Sequence, residues 1–200
     1  MLKRAFDLLL SGVGLVVSAP IWAIVALAIF LEDGAPVLFT QMRVGYRGVP
    51  FRAYKFRSMV RHAASLPPVQ AGVDDPRVTR VGRILRATAL DELPQLVNIF
   101  RGDMSFVGPR PLLPDEIERR GPGHSVRLDS LPGFAQRHAV VPGLTGLAQI
   151  YAPRDAPRRH KFRLDALYAR RASFRLDVFL VLLSFWITFR GRWESRARKI

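Results

Sequence analysis

Asp91 and Glu92 stand side by side, just ahead of Pro94, in the stretch ATALDELPQLVNIFRG (87–102). Arg77, Arg80, Arg83 and Arg86 precede them, and Arg101 and Arg110 follow. Proline is accepted in the first turn of a helix and is expected to push Leu93 out of the right-handed helical region. That places both acids in a turn entering a helix N-terminus. One use for them is mundane: Asp91 as N-cap and Glu92 as an acid complementing the helix dipole, the commoner use for such residues. The other use is chemical. Cations near Asp91 are expected to lower its pKa and keep it ionised, and Arg86 is the nearest, with Arg110 on a proline-flanked turn. The same cations can hold a phosphate, and an ionised carboxylate beside a bound phosphate can attack phosphorus to give an acyl phosphate. Two anions meeting in this way call for a cation between them, so Mg²⁺ is expected.

The composition narrows the setting. The chain has 200 residues, 31 Lys and Arg against 16 Asp and Glu, a formal net charge of +15 and no cysteine. That length suits one compact domain with a real core. Thiolate zinc sites, disulfides and thiol nucleophiles are excluded. His62, His124, His138 and His160 show no metal-ligand spacing and read as structural or solvent-facing. The excess charge, mostly arginine, points to an anionic partner: a nucleic acid, an anionic bilayer or a phosphorylated substrate.

An element must bring such a site to its partner, and the first thirty residues offer one. Leu8 to Leu31 is a nearly uncharged apolar run, too long and too poorly terminated for a cleaved signal peptide. It reads as membrane-embedded. A straight helix over this run would be roughly 40 Å long, enough to cross. Pro20 in its middle is expected to kink it, leaving two arms each too short to span, with Ser18 able to satisfy part of the freed backbone. Lys3 and Arg4 before the run and the basic segment after it favour a re-entrant segment, with both flanks cytoplasmic, over a kinked span.

The remaining chain has few clean linkers. Residues 37–60 read as two short strands with turns, 62–76 as a polar loop and 77–90 as a helix with Val81, Ile84 and Leu85 on its apolar side. Pro94 to Arg101 reads as a helix with Leu93, Leu96, Val97 and Phe100 as its stripe and Gly102 as its stop. A further helix is expected to begin near Pro114, with Asp115, Glu116 and Glu118 in its first turns. Residues 158–171 read as a basic amphipathic helix, with Phe162, Leu164, Leu167 and Tyr168 as its apolar contacts. Val178 to Phe189 is too short to span and serves either as a buried core helix or as an interfacial one.

KRAFDLLL, VLFTQMRVG, YKFRSM, LDELPQLVNIFRGDMSFVGPRPLL, PGLTGLAQ and SFRLDV occur in an order that resembles the bacterial monotopic phosphoglycosyl transferases, the bacterial sugar transferase family. The resemblance covers nearly the whole chain. It implies a mixed α/β, mostly helical fold with a Pro-broken re-entrant membrane helix (residues 1–33), a catalytic domain (34–200) and interfacial amphipathic helices, all one structural unit. It implies transfer of a phosphosugar from a UDP-sugar to polyprenol (undecaprenyl) phosphate, with release of UMP, at the cytoplasmic face of the bacterial inner membrane. Asp91 would be the nucleophile, Glu92 would complete the dyad around Mg²⁺, and Lys55, Arg86 and Arg110 would bind phosphate or uridine diphosphate.

Two departures from the family pattern stand out. Its helix-breaking serine directly precedes the proline, whereas here the order is Ser18-Ala19-Pro20; Ser18 and Pro20 are taken as the break. After GLAQ this chain continues IYAPRD, leaving Arg154 as the candidate contact of that loop. A membrane-tethered nucleic-acid binder would explain the charge but not the acidic pair, and no basic-plus-aromatic platform is recognisable, so no nucleic-acid partner is expected. A peripheral membrane adaptor would leave the acids as a cap.

Overall fold

The computed structural model describes residues 1–65, 75–119, 125–153 and 156–190. Arg154 and most of the 62–76 loop lie outside them. Helix α1 (Leu2–Asp33) runs without interruption through Pro20. Its buried residues, Asp7, Ser11, Ser18, Val25 and Ile29, form one narrow stripe, and most of its other apolar side chains are exposed. The hydroxyl of Ser18 is buried without a hydrogen-bond partner, so it does not take up the backbone group that Pro20 frees.

Both ends of α1 are fastened to the rest of the protein. At its start, Lys3 Nζ donates to the Val107 carbonyl (2.9 Å), to Asp177 Oδ2 (2.7 Å) and to the Tyr168 hydroxyl (3.1 Å). Arg4 donates to the Ile99 and Phe100 carbonyls, and the buried Asp7 accepts from Ser105 Oγ and the Phe106 N–H. At its far end, Glu32 accepts from the Arg80 and Val81 N–H groups, while Arg57 donates to the Asp33 and Gly34 carbonyls. A cation at a helix C-terminus and a carboxylate at the next helix's N-terminus both complement the dipoles.

Strands β1 (Leu38–Val44) and β2 (Pro50–Phe56) form an antiparallel hairpin, with Leu38 opposite Phe56 and Val44 opposite Pro50. Alternation along β2 puts Phe51, Ala53 and Lys55 on one face. The first two enter the core, and Lys55 emerges where α2 (Arg80–Ala87) meets α3 (Gln95–Arg101). Helix α3 is clamped to β2 by Asn98, which is 0% exposed: its Oδ1 accepts from the Tyr54 N–H and its Nδ2 donates to the Arg52 carbonyl. Helix α2 lies so close to the strand's exit that a Cβ on Gly82 would stand 2.1 Å from the Ser58 carbonyl oxygen.

β3 (Ser105–Val107) pairs in parallel with β6 (Gly143–Thr145), and β4 (Ile117–Arg119) pairs antiparallel with β5 (Ser125–Arg127). α4 (Phe134–His138) and α5 (Leu147–Tyr151) are short. α6 (Arg158–Arg171) and α7 (Phe174–Phe189) close the core around Ile99, Val107, Tyr168, Leu180 and Ile187.

Several expectations are corrected here. No helix begins at Pro114: Asp115 turns left-handed (φ 53), and Ile117 enters β4. Glu116 pairs with Arg158, and Glu118 accepts the Arg158 N–H, so these acids serve α6 instead of a helix of their own. Ile84 is 64% exposed, because the approach of Gly82 to Ser58 sets which face of α2 is covered. Phe100 is exposed and Ile99 buried on α3, because the Asn98 clamp turns that side inward. On α6, Leu167 is exposed, while Asp165, Ala166 and Tyr168 face inward. α7 is core on one side only: Leu180, Val181 and Ile187 are buried, while Phe179, Leu182, Phe185, Trp186 and Phe189 are exposed.

Candidate active site

α2 ends at Ala87, Ala89 adopts a left-handed conformation (φ 57), and a single 3₁₀ turn, Leu90–Glu92, leads through Pro94 into α3. Leu93 is right-handed helical (φ −53, ψ −37), contrary to the expected effect of the following proline. Packing outweighs that local bias: Leu93 contacts both the main core and the cluster formed by Val25, Phe56 and Leu85. The acids do not cap the helix. Residue Pro94 occupies the N-cap position, with no side-chain cap, and no backbone N–H of α3 donates to Asp91 or Glu92. The N-cap use of Asp91 is therefore removed.

Cations take their place, unequally. Lys55 Nζ lies 2.5 Å from Glu92 Oε1 and 3.9 Å from Asp91 Oδ2. Arg110 Nη2 lies 2.6 Å from the same Glu92 oxygen, and its Nη1 lies 3.5 Å from Oε2. Burial opposes charge on Glu92, but Arg110 and Lys55, by charge and hydrogen bonds, outweigh it and hold the carboxyl well below the usual range. Asp91, 8% exposed and without a hydrogen bond among the described residues, is pushed up to about 6 by burial. The pull of Lys55, Arg110 and Arg86 does not overcome that penalty, which reverses the lowering expected from the sequence. Arg86 reaches Asp91 only through its field; no side-chain hydrogen bond or ion pair holds it among the described residues.

The site has supports that its local sequence does not announce. Arg137, buried, is paired with Asp165 at 3.0 Å and donates through Nη2 to the Arg110 carbonyl at 2.5 Å. Gly108, two residues before Arg110, packs where a Cβ would meet the Val141 carbonyl oxygen at 2.2 Å. Asn98 holds the strand that carries Lys55. A polar residue inside the apolar run LVNIF could have marked Asn98; Arg137, in FAQRHA, has no comparable local signal.

For a divalent cation, no group of three or more His, Asp or Glu side chains gathers among the described residues. The dyad still fits one. Glu92 Oε1 is taken by Lys55 and Arg110, while Oε2 receives only the long Arg110 contact at 3.5 Å and the Asp91 carboxylate accepts no hydrogen bond among the described residues. Mg²⁺ is commonly held by one or two carboxylates completed by substrate phosphates.

The chain is similar to known sugar transferases. A family model described as "Bacterial sugar transferase" matches residues 1–191. "Undecaprenyl-phosphate glucose phosphotransferase" of Komagataeibacter xylinus is 43% identical over 190 residues, covering 91% of this chain and 35% of the relative. "UDP-glucose:undecaprenyl-phosphate glucose-1-phosphate transferase" of Escherichia coli (strain K12) is 39% identical over 195 residues, covering 94% of this chain and 40% of the relative. "Exopolysaccharide production protein PSS" of Rhizobium leguminosarum bv. phaseoli is 42% identical over 187 residues, covering 90% of this chain and 92% of the relative. The chain thus spans well under half the length of the first two relatives and nearly all of the third.

Proposed function

The chain belongs to the bacterial sugar transferase family, and from that premise we propose that it transfers a sugar phosphate from a UDP-sugar to undecaprenyl phosphate in two steps. Asp91 attacks the phosphorus that bears the sugar; the bond to the bridging oxygen breaks, and UMP leaves. A phosphate oxygen of the lipid then attacks the same phosphorus and expels the Asp91 carboxylate, giving the lipid diphosphate sugar. Donor and acceptor need not be bound together.

The observation that carries this reading is the contrast between the two acids. Glu92 is fastened by Lys55 and Arg110. Asp91 is buried, accepts no hydrogen bond among the described residues and is raised to about 6. An ionised Asp91 is thus unusually poorly stabilised, which favours attack, while Glu92 keeps its cations in place for phosphate. Arg86, half-buried and without an ion pair among the described residues, is a third phosphate ligand. Mg²⁺ would be held by Asp91 and Glu92 and would neutralise charge between carboxylate and phosphate. The test is UMP release from a panel of UDP-sugars with undecaprenyl phosphate, together with mass spectrometry of the protein for a phosphosugar adduct on Asp91. Turnover of Asp91→Asn at the wild-type rate would sink the assignment.

The membrane arrangement is part of the same proposal. α1 is long and apolar enough to cross a bilayer, but we assign it a re-entrant path at the cytoplasmic face of the inner membrane, bent near Ser18 and Pro20. Its support is that Lys3 and Glu32, at opposite ends, both bind the same folded body. A spanning helix would carry one end across a core of about 30 Å, away from that body. The exposed face of α7, with Phe185, Trp186 and Phe189, lies in the interface in this reading.

A further inference from the structure

The turn that replaces the expected helix at Pro114 presents Asp115 in a left-handed conformation (φ 53). Such strained residues concentrate at ligand sites. Asp115 is exposed, and it has neither a hydrogen bond nor an ion pair among the described residues. It lines a cavity of about 290 Å³ with Glu116 and the Arg127–Asp129 ion pair on its polar side and Val44, Leu112, Leu128 and Phe134 on its apolar side. Small-molecule sites usually hold about 300–1,000 Å³, so this one suits a single moiety of a nucleotide sugar.

A line of cations joins the cavity to the acidic dyad. Arg43 directly precedes Val44, and its Nη1 donates to the Pro111 carbonyl, next to Arg110. Its Nη2 donates to Gln41 Oε1 at 2.6 Å, and no carboxylate pairs with it among the described residues. Burial first, and then the charge of Arg110, lower its pKa to about 10, against the pull of Glu116 and Glu92. A partly buried guanidinium with no carboxylate in direct contact among the described residues has donors free for a phosphate oxygen.

We propose that this cavity is the nucleoside subsite of the donor, with Arg43 binding a phosphate oxygen of the diphosphate and Asp115 accepting hydrogen bonds from the ribose hydroxyls. The proposal rests on the donor being a nucleotide sugar. The apolar wall selects the base over the sugar: a flat π face packs on Phe134 and the aliphatic side chains, whereas a hexose carries hydroxyls around its whole rim. A diphosphate running from the cavity past Arg43 and Arg110 would bring its far phosphate to Asp91.

The full-length chain in detergent, assayed for lipid product, tests this with UMP, 2′-deoxy-UMP and the matching sugar 1-phosphate as inhibitors. Wild type should prefer UMP to 2′-deoxy-UMP by roughly tenfold, the scale of one hydrogen bond to a charged acceptor. Asp115→Ala should weaken UMP to the level of 2′-deoxy-UMP and leave the deoxy compound and the sugar 1-phosphate unchanged. Leu113→Trp, which fills the cavity, should raise the KM for the UDP-sugar at least tenfold while sparing inhibition by sugar 1-phosphate. If Leu113→Trp unfolds, Asp115→Ala, at an exposed position, decides. Unchanged UMP inhibition in Asp115→Ala, or loss of sugar 1-phosphate inhibition instead, overturns the subsite. A wild-type chain that releases no UMP from any UDP-sugar removes the donor itself, a result distinct from normal turnover with an insensitive variant.

Discussion

Lys55 Nζ lies 2.5 Å from Glu92 Oε1 but 3.9 Å from Asp91 Oδ2. One cation thus serves two adjacent carboxylates unequally, and Arg110 widens the difference by joining the Glu92 side. The result is one acid held ionised and one acid burdened by burial.

Activity should therefore show an acid limb set by Asp91. The attacking carboxylate must be ionised, so kcat/KM should rise about tenfold per pH unit up to about 6 and then level off. Glu92 adds negative charge beside Asp91 and occupies Lys55. Glu92→Gln should move the limb to lower pH, even as it reduces the rate; a limb that stays in place would exclude Asp91 as its source.

Asp91→Asn should abolish turnover, by at least about 10³-fold for loss of a nucleophile, and should also stabilise the fold. The folded pKa of Asp91 is raised, so its charged form is disfavoured by folding. Wild-type stability should fall as pH climbs from about 4 toward about 6 and remain lower above that window. At pH 7.5 the asparagine variant should gain roughly 2 kcal/mol, and thermal unfolding across pH 4–8 would measure it.

Asn98→Ala should cost about 3 kcal/mol, because it strands the Tyr54 N–H and the Arg52 carbonyl at a fully buried position. Urea unfolding gives the loss. A cost below about 1 kcal/mol would mean that the clamp on β2 is dispensable.

Arg137→Met should cost about 3–5 kcal/mol, since Asp165 is left buried and unpaired. Replacing both, Arg137→Met with Asp165→Leu, should recover most of that stability. It should not recover activity, because the Arg110 carbonyl still lacks its donor. Recovery of both would show that Arg137 does not position Arg110.

Cysteines placed at residue 2 and in the 62–76 loop of this cysteine-free chain should both label from the cytoplasmic side. Labelling from opposite sides would establish a span and overturn the re-entrant path.

The structure's larger elements were legible from local patterns. The hairpin of β1 and β2 was visible as β-branched and aromatic runs with Gly and Pro breaks, and the stop of α3 at Gly102 was marked by its residue type. The apolar face of α2, by contrast, was misjudged at Ile84, since a backbone contact at Gly82 leaves no trace in hydropathy. The expected helix at Pro114 failed for a similar reason. Its acids answer to Arg158, forty and forty-two residues away in the chain, and not to a local helix dipole.

The order of motifs, the apolar first segment and the acidic pair before Pro94 were determined by the sequence alone, because residue type and spacing carry that information directly. Which acid is free was decided only by tertiary structure. Lys55 and Arg110, thirty-seven residues before and eighteen after Glu92, converge on one carboxylate oxygen. Burial of Asp91 then outweighs the arginines that surround it in sequence. Local sequence counts charges, but desolvation and distance set their effect, and both exist only once the chain has folded.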